Sequence, residues 1–316
     1  MGLLAELYFN YNQDEKGLQI LDRLLKLDPE NGLIHFYIAD YYRSKKQFEL
    51  ADKHIKLALS SDKIDNEYKI QYIIKLLLSQ DETKPADTDL YYPYVNLLME
   101  KYSDDLSVRA LHADFLKNNG KFQEAINELE YIISKDQSNY LTWEGLLLLY
   151  NEISDTASMR VKSLETIKYF PEQPLPYTFV GITYIMESNF KQAIPFFEKG
   201  LELAEDKTFL KSQLYSYLGD SYYQIDSVQR AFKLFDMGLE MNPNDILILN
   251  NYAYYLSLTF YAGKQSLCNR RQRGGMDEPT GRCHDPLSGI IRYSVRTQHS
   301  GHDGGQFHTG IKCRKL

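Results

Sequence analysis

The chain has 316 residues, 43% of them apolar, which is enough for an elongated repeat array or two domains with a sizeable core. Its net charge of −7 argues against a nucleic-acid partner. No apolar run reaches the roughly 20 residues that cross a bilayer, and the N-terminus lacks the basic start and cleavage site of a secretory signal. We therefore expect a cytoplasmic protein by default, although the repeat pattern suggests a truncated N-terminus.

Small residues recur at a fixed interval along most of the chain. The distance in sequence from Ala125 to Ala193 is twice the distance from Gly17 to Ala51. Ala231 follows Ala193 by slightly more than one such interval, as a short loop insertion would produce. This spacing predicts an internal repeat of about 34 residues.

Each repeat contains two amphipathic stretches. In the sixth repeat, Tyr177, Val180 and Tyr184 have the spacing of one face of a helix. After a polar break, Ala193 and Phe197 define the face of a second helix. A proline follows several of the second stretches, because proline cannot continue a helix. The pattern thus predicts pairs of helices.

The order of residue types within each pair carries a family resemblance. The order begins with a large residue, Leu, a small residue and Tyr. These are followed by Gly, an aromatic residue, Ala, a second aromatic residue, a small residue and Pro. This order resembles the tetratricopeptide motif of bacterial multi-repeat proteins. Small residues let the two helices cross closely, as we expect for Gly181 with Ala193 and for Gly219 with Ala231.

The resemblance implies an all-α, right-handed solenoid of antiparallel helix pairs over residues 1–257. Stacking is required because no single pair can bury its own apolar face. The predicted units are 1–31, 32–65, 66–105, 106–139, 140–173, 174–211 and 212–245, followed by the first helix of an eighth. Unit three is longer and irregular.

A different kind of sequence occupies residues 258–316. This stretch holds ten basic and four acidic residues, all three cysteines and four of the seven histidines. It shows no sustained helical or strand period, so we predict an irregular, low-order basic tail. Because the change falls abruptly within the eighth repeat, a frame shift in the coding sequence is one hypothesis for its origin.

The tail contains metal-ligating residue types without metal-site spacing. Zinc ligands usually come in tight pairs such as Cys-x2-Cys, whereas Cys268, Cys283 and Cys313 are widely separated in sequence. A metal site and a basic arm for an acidic partner are therefore alternatives to simple disorder. We predict neither a metal nor a cofactor.

No motif for catalysis is present in the sequence. There is no phosphate-binding loop, no Gly-x-Ser-x-Gly and no His-Glu-x-x-His. Two of the histidines of the repeat body, His35 and His112, fall at packing positions and are interpreted as structural. We therefore predict that the chain is not an enzyme.

The family resemblance also implies where a partner binds. In tetratricopeptide proteins the first helices line a concave groove, and positions 2, 5, 9 and 12 of each unit face into it. The groove residues that this implies are Phe36, Asp40, Arg43, Asp114, Lys117, Glu144, Asn151, Thr178, Gln213, Asp220, Tyr223, Asn250 and Tyr254. Aspartate recurs at one level and units five and six add an apolar patch, so we expect a segment with basic and apolar side chains.

The functional prediction is a non-enzymatic scaffold that binds a protein or peptide segment in this groove. We expect no nucleic acid, no small-molecule substrate and no membrane span. The alternative is an accessory region of a longer enzyme or of a secretion or assembly component, with the other domains missing from this chain.

Overall fold

The computed structural model describes residues 2–78, 89–205 and 207–273. These residues form fifteen α-helices and contain no strand. Among the described residues, those up to Leu256 make one compact body. The helices are α1 (Gly2–Asn10), α2 (Asp14–Leu27), α3 (Gly32–Ser44), α4 (Phe48–Leu59), α5 (Asn66–Leu78), α6 (Tyr92–Lys101), α7 (Leu106–Asn118), α8 (Phe122–Lys135), α9 (Tyr140–Glu152), α10 (Thr156–Tyr169), α11 (Pro174–Met186), α12 (Phe190–Leu203), α13 (Thr208–Gln224), α14 (Val228–Met241) and α15 (Ile246–Arg273).

The first fourteen helices follow one another two to each predicted unit, and in all units except unit three the two helices pack closely against each other. Close packing within a pair is seen in α11 with α12, and between pairs in α12 with α13. The predicted all-α solenoid is therefore confirmed. One boundary differs, because α13 begins at Thr208, inside the range that the spacing assigns to unit six.

The same tight turn joins the two helices in six of the units. One residue of each turn has a left-handed backbone, for example Lys46 at φ 60° and Ser188 at φ 59°. The following amide donates to a carbonyl five residues back, as Gln47 does to Tyr42 at 2.9 Å. This pairing satisfies carbonyls that the helix end leaves free. Only Gly120 among the six is the residue type that usually marks such a turn.

The core between the two helices of a unit depends on residues that compensate in size. A Cβ atom at Gly181 would lie 2.4 Å from the ring of Phe197, and one at Gly219 would lie 2.5 Å from the ring of Phe235. Both rings are fully buried. The sequence pairs Gly181 with Ala193, whereas the structure shows that an aromatic ring occupies the space against the glycine.

Unit three contains a buried cation that the repeat pattern does not predict. The side chain of Lys69 on α5 is fully buried, and its Nζ donates to the Tyr102 hydroxyl at 2.7 Å and to Asn66 Oδ1 at 3.2 Å. The ammonium also lies 3.9 Å from the centroid of the Tyr102 ring. Burial lowers the pKa of Lys69 to about 8.

The helix of the eighth unit runs further than the sequence pattern predicts. Helix α15 continues to Arg273, so residues 258–273 of the predicted irregular tail are helical. The amphipathic pattern ends earlier than the backbone helix because periodicity reports burial of one face, not helix formation itself. Most of the predicted tail, residues 274–316, lies outside the described part of the chain.

The described residues contain neither a candidate membrane span nor a candidate metal site. Within them, no helix combines the length and apolarity needed to cross a membrane. No group of three or more His, Cys, Asp and Glu side chains is placed to hold a metal ion in the same residues.

Candidate functional site

Two consecutive first helices, α3 and α5, enclose a groove of about 300 Å³. The residues of each helix that line it are spaced as one helical face, at i, i+3, i+4 and i+7. They are Leu33, Phe36, Tyr37 and Asp40 from α3, and Tyr68, Gln71, Tyr72 and Lys75 from α5. One face of each helix therefore forms one wall.

The floor of the groove is aromatic. The rings of Phe36 and Tyr72 stack with their centroids 3.9 Å apart, and both side chains are buried. The ring of Tyr68 lies 5.8 Å from Phe36 and is 42% exposed. Phe36, which the family resemblance places toward a partner, thus lies in the floor, where only its ring surface can meet a ligand.

The carboxylate of Asp40 is fully paired with the opposite wall. It accepts a hydrogen bond from the Tyr72 hydroxyl at 2.8 Å and from Lys75 Nζ at 2.9 Å. Burial and the neighbouring Asp40 charge raise the pKa of Tyr72 well above its usual value, so this hydroxyl stays a donor. Asp40 therefore joins α3 to α5 and does not present a free charge.

Asp220 makes the same kind of connection between α13 and α15. Its two carboxylate oxygens accept hydrogen bonds from Asn251 Nδ2 at 3.0 and 3.2 Å. Burial raises the pKa of Asp220 to about 7, so the group is partly protonated at neutral pH.

Asp114 differs from the other two aspartates. Its side chain is 69% exposed and lies 3.4 Å from Lys117 Nζ on the same helix. The recurring aspartates expected from the sequence are thus in three different states, and two of them are bonded to the next first helix. A continuous row of free carboxylates does not form.

The structure places the other predicted groove residues at several depths. Thr178 is buried, with its hydroxyl donating to the Pro174 carbonyl at 3.0 Å, and the Tyr223 ring stacks on Tyr255 at 3.8 Å. The apolar patch expected in units five and six is largely covered, because Ile182 and Ile185 are buried. Half-buried positions are Arg43, Glu144, Asn151 and Gln213, whereas Lys117, Asn250 and Tyr254 are exposed. Only Phe36 and Asp40 of the predicted set line the groove.

The repeat pattern did not predict that α5 forms one wall of the groove. Unit three does not fit the repeat register, so no groove positions were transferred to it. The usable signal was local, because Tyr68, Tyr72 and Lys75 fall on one helical face.

The paired helices, their spacing and the repeated turn together define the class of fold, an α-solenoid of tetratricopeptide-type helix pairs. No protein-family model matches the chain. The TPR repeat-containing protein YpiA of Bacillus subtilis is 23% identical over 205 residues, covering 64% of this chain. The chain spans 46% of YpiA, about half the length of this curated relative.

Two solved structures resemble this chain at low sequence identity. The C-terminal part of a TPR repeat-containing protein from Cytophaga hutchinsonii superposes with a TM-score of 0.55 and 15% identity, covering 79% of this chain and 98% of that one. MamA from Desulfovibrio magneticus, from residue 41 to its end, gives 0.48 and 14%, covering 58% and 98%. The first likeness supports the fold and carries no statement about a ligand.

Proposed function

We propose that the chain is a non-enzymatic scaffold that holds a segment of another protein against its first helices, with the α3–α5 groove as the main contact site. The groove itself is the observation that carries this proposal. It places an aromatic floor between two helices of successive units, and it leaves Leu33 and Tyr68 more than a third exposed. Concave apolar sites with a few polar groups are where proteins usually bind ligands.

The exposed residues further along the first helices extend this proposed surface. Asp114 and Lys117 on α7, and Asn250 and Tyr254 on α15, lie at the positions that the family resemblance assigns to the groove. We expect them to contribute at the edge of the interface, where single contacts are worth little compared with buried aromatic anchors.

Site-specific photo-crosslinking tests the proposal. A photoreactive amino acid at Leu33 or Tyr68 should capture a discrete partner in cells of the native host. The matched control is Val161, which is 63% exposed and lies on the second helix α10, outside the proposed site. Equal capture from Val161, or capture from Val161 alone, would show that the first-helix groove is not the binding surface.

A further inference from the structure

We propose that the α3–α5 groove binds a proline-rich segment in the polyproline II conformation. This inference rests on the proposed scaffold function and names the chemical class of its partner. It follows from the charge, the aromatic surface, the free hydroxyls and the size of the groove.

The side chains that line the groove carry no net charge, which suits an uncharged segment. Asp40 and Lys75 are the two ionised side chains that line it, and they pair with each other at 2.9 Å. A basic or acidic segment would have to compete with this pair for its partner. An uncharged segment leaves the pair intact and buries only apolar and neutral polar surface.

The groove offers an aromatic ring to a ring-shaped side chain mainly at Tyr68, which is 42% exposed, whereas the buried rings of Phe36 and Tyr72 stack on each other. Four of the eight lining residues are aromatic, namely Phe36, Tyr37, Tyr68 and Tyr72. Proline-rich segments dock on aromatic-lined grooves because their backbone is already ordered, so binding costs little conformational entropy. The exposed Leu33 side chain extends the apolar surface at one end.

Two hydroxyls in the groove lack a partner. Among the described residues, the phenol groups of Tyr37 and Tyr68 make no hydrogen bond within the chain. Burial raises the pKa of Tyr68, so its hydroxyl remains a donor at neutral pH. A polyproline II segment has no internal hydrogen bonds, and its carbonyl groups are therefore free to accept from these tyrosines.

The length of the groove suits a short extended segment. The groove runs along α3 from Leu33 to Asp40, which is about 10 Å at 1.5 Å per residue. Polyproline II rises 3.1 Å per residue, so about three residues fit this length.

Peptide binding to the purified full chain tests the class of partner. Fluorescein-labelled (Pro)10 is compared by fluorescence anisotropy with (Gly-Ser)5 and (Lys-Ala)5. We expect (Pro)10 to bind at least tenfold more tightly than either control. Equal affinities, or a preference for (Lys-Ala)5, would overturn the proposal.

Variants locate the binding site. Y37F and Y68F keep the rings and remove one hydrogen bond each, so each should weaken the binding of (Pro)10 about fivefold. Y169F is the matched control, because Tyr169 is 47% exposed on α10 and its ring contact with Trp143 does not need the hydroxyl. Unchanged affinity in Y37F and Y68F would place the peptide elsewhere and refute the inference.

The crosslinking and peptide-binding experiments distinguish failure of the proposed scaffold function from failure of the proposed proline-rich partner. If crosslinks from Leu33 and Tyr68 capture a partner but (Pro)10 does not bind, the scaffold function stands and the proline class is wrong. If those positions capture nothing that Val161 does not, the groove function itself fails. Circular dichroism of each variant confirms that a loss of binding is not a loss of folding.

Discussion

Two histidines of the second unit share a hydrogen bond that requires at least one of the two rings to be neutral. Nδ1 of His35 lies 3.0 Å from Nδ1 of His54, and Nε2 of His35 lies 3.2 Å from the Pro29 carbonyl. One proton can lie between the two Nδ1 atoms, whereas protonation of both rings would place two N–H donors face to face. Burial lowers both pKa values, that of His54 to about 4.

This pair predicts a loss of stability in mild acid. The unfolded chain takes up protons on these histidines near pH 6.5, whereas folded His54 does so only near pH 4. The stabilisation is therefore complete above pH 6.5 and is lost as the pH falls toward 4. Urea unfolding at pH 7.5, 6 and 5 should show a fall of the order of 1–3 kcal/mol.

The variant H54N provides the comparison, because an amide can still donate to His35 but does not titrate. Carboxylates also titrate in this range, so the informative quantity is the difference between the wild type and H54N. We expect a weaker pH dependence in H54N. If the free energy of unfolding varied with pH identically in the two proteins, the histidine pair would be taking up protons in the folded state as readily as in the unfolded chain.

At the scale of the helix pair, volume is conserved between one position on the first helix and the position facing it on the second. In units six and seven, glycine on the first helix faces phenylalanine on the second. In unit one the sizes are reversed, with Phe9 on the first helix and Gly17 on the second. A large residue on one helix thus requires a small one on the other, because the core has no spare volume.

Overpacking this contact should destabilise the chain. We expect G181A to lower the free energy of unfolding by about 1–3 kcal/mol, because the new methyl group meets the buried Phe197 ring. F197L should relieve part of this clash, so the double variant should lose less than the sum of the two single changes. Chemical denaturation of the four proteins measures the coupling.

Gly145 is the matched control for the glycine substitution. A Cβ atom there would lie 3.4 Å from Leu129 Cδ1, close to an ordinary contact. Because alanine favours helix by about 1 kcal/mol over glycine, G145A should be neutral or stabilising. A similar loss in G145A and G181A would point to backbone effects instead of the ring contact.

At the scale of the compact body, each described unit contacts mainly its neighbours. Unfolding should therefore spread locally from a damaged unit. In hydrogen–deuterium exchange, F197A in unit six should speed amide exchange in α9–α14 and leave α1–α4 close to the wild type. A uniform increase over the whole body would instead show a single cooperative core.

Several features could be predicted from the sequence because their causes are local. The helix pairs follow from apolar spacing, and the register follows from small residues such as Ala125 and Ala193, which lie two repeat intervals apart. The turns were harder to predict, since Lys46 and Ser188 adopt a left-handed backbone without being glycine. The extra residues in the sequence between α5 and α6 displaced unit three from the register, so the α5 wall was not predicted.

The sequence by itself determined the class of fold and the approximate bounds of the paired helices, since both depend on residues within one or two helical turns of each other. Only the tertiary structure decided which side chains of the first helices remain available. The partners of Asp40 are 32 and 35 residues away, and that of Asp220 is 31 residues away. Such contacts depend on how one repeat stacks on the next. Two of the aspartates predicted to form an acidic groove therefore bond to a neighbouring helix, and an aromatic groove lies beside one of them, Asp40.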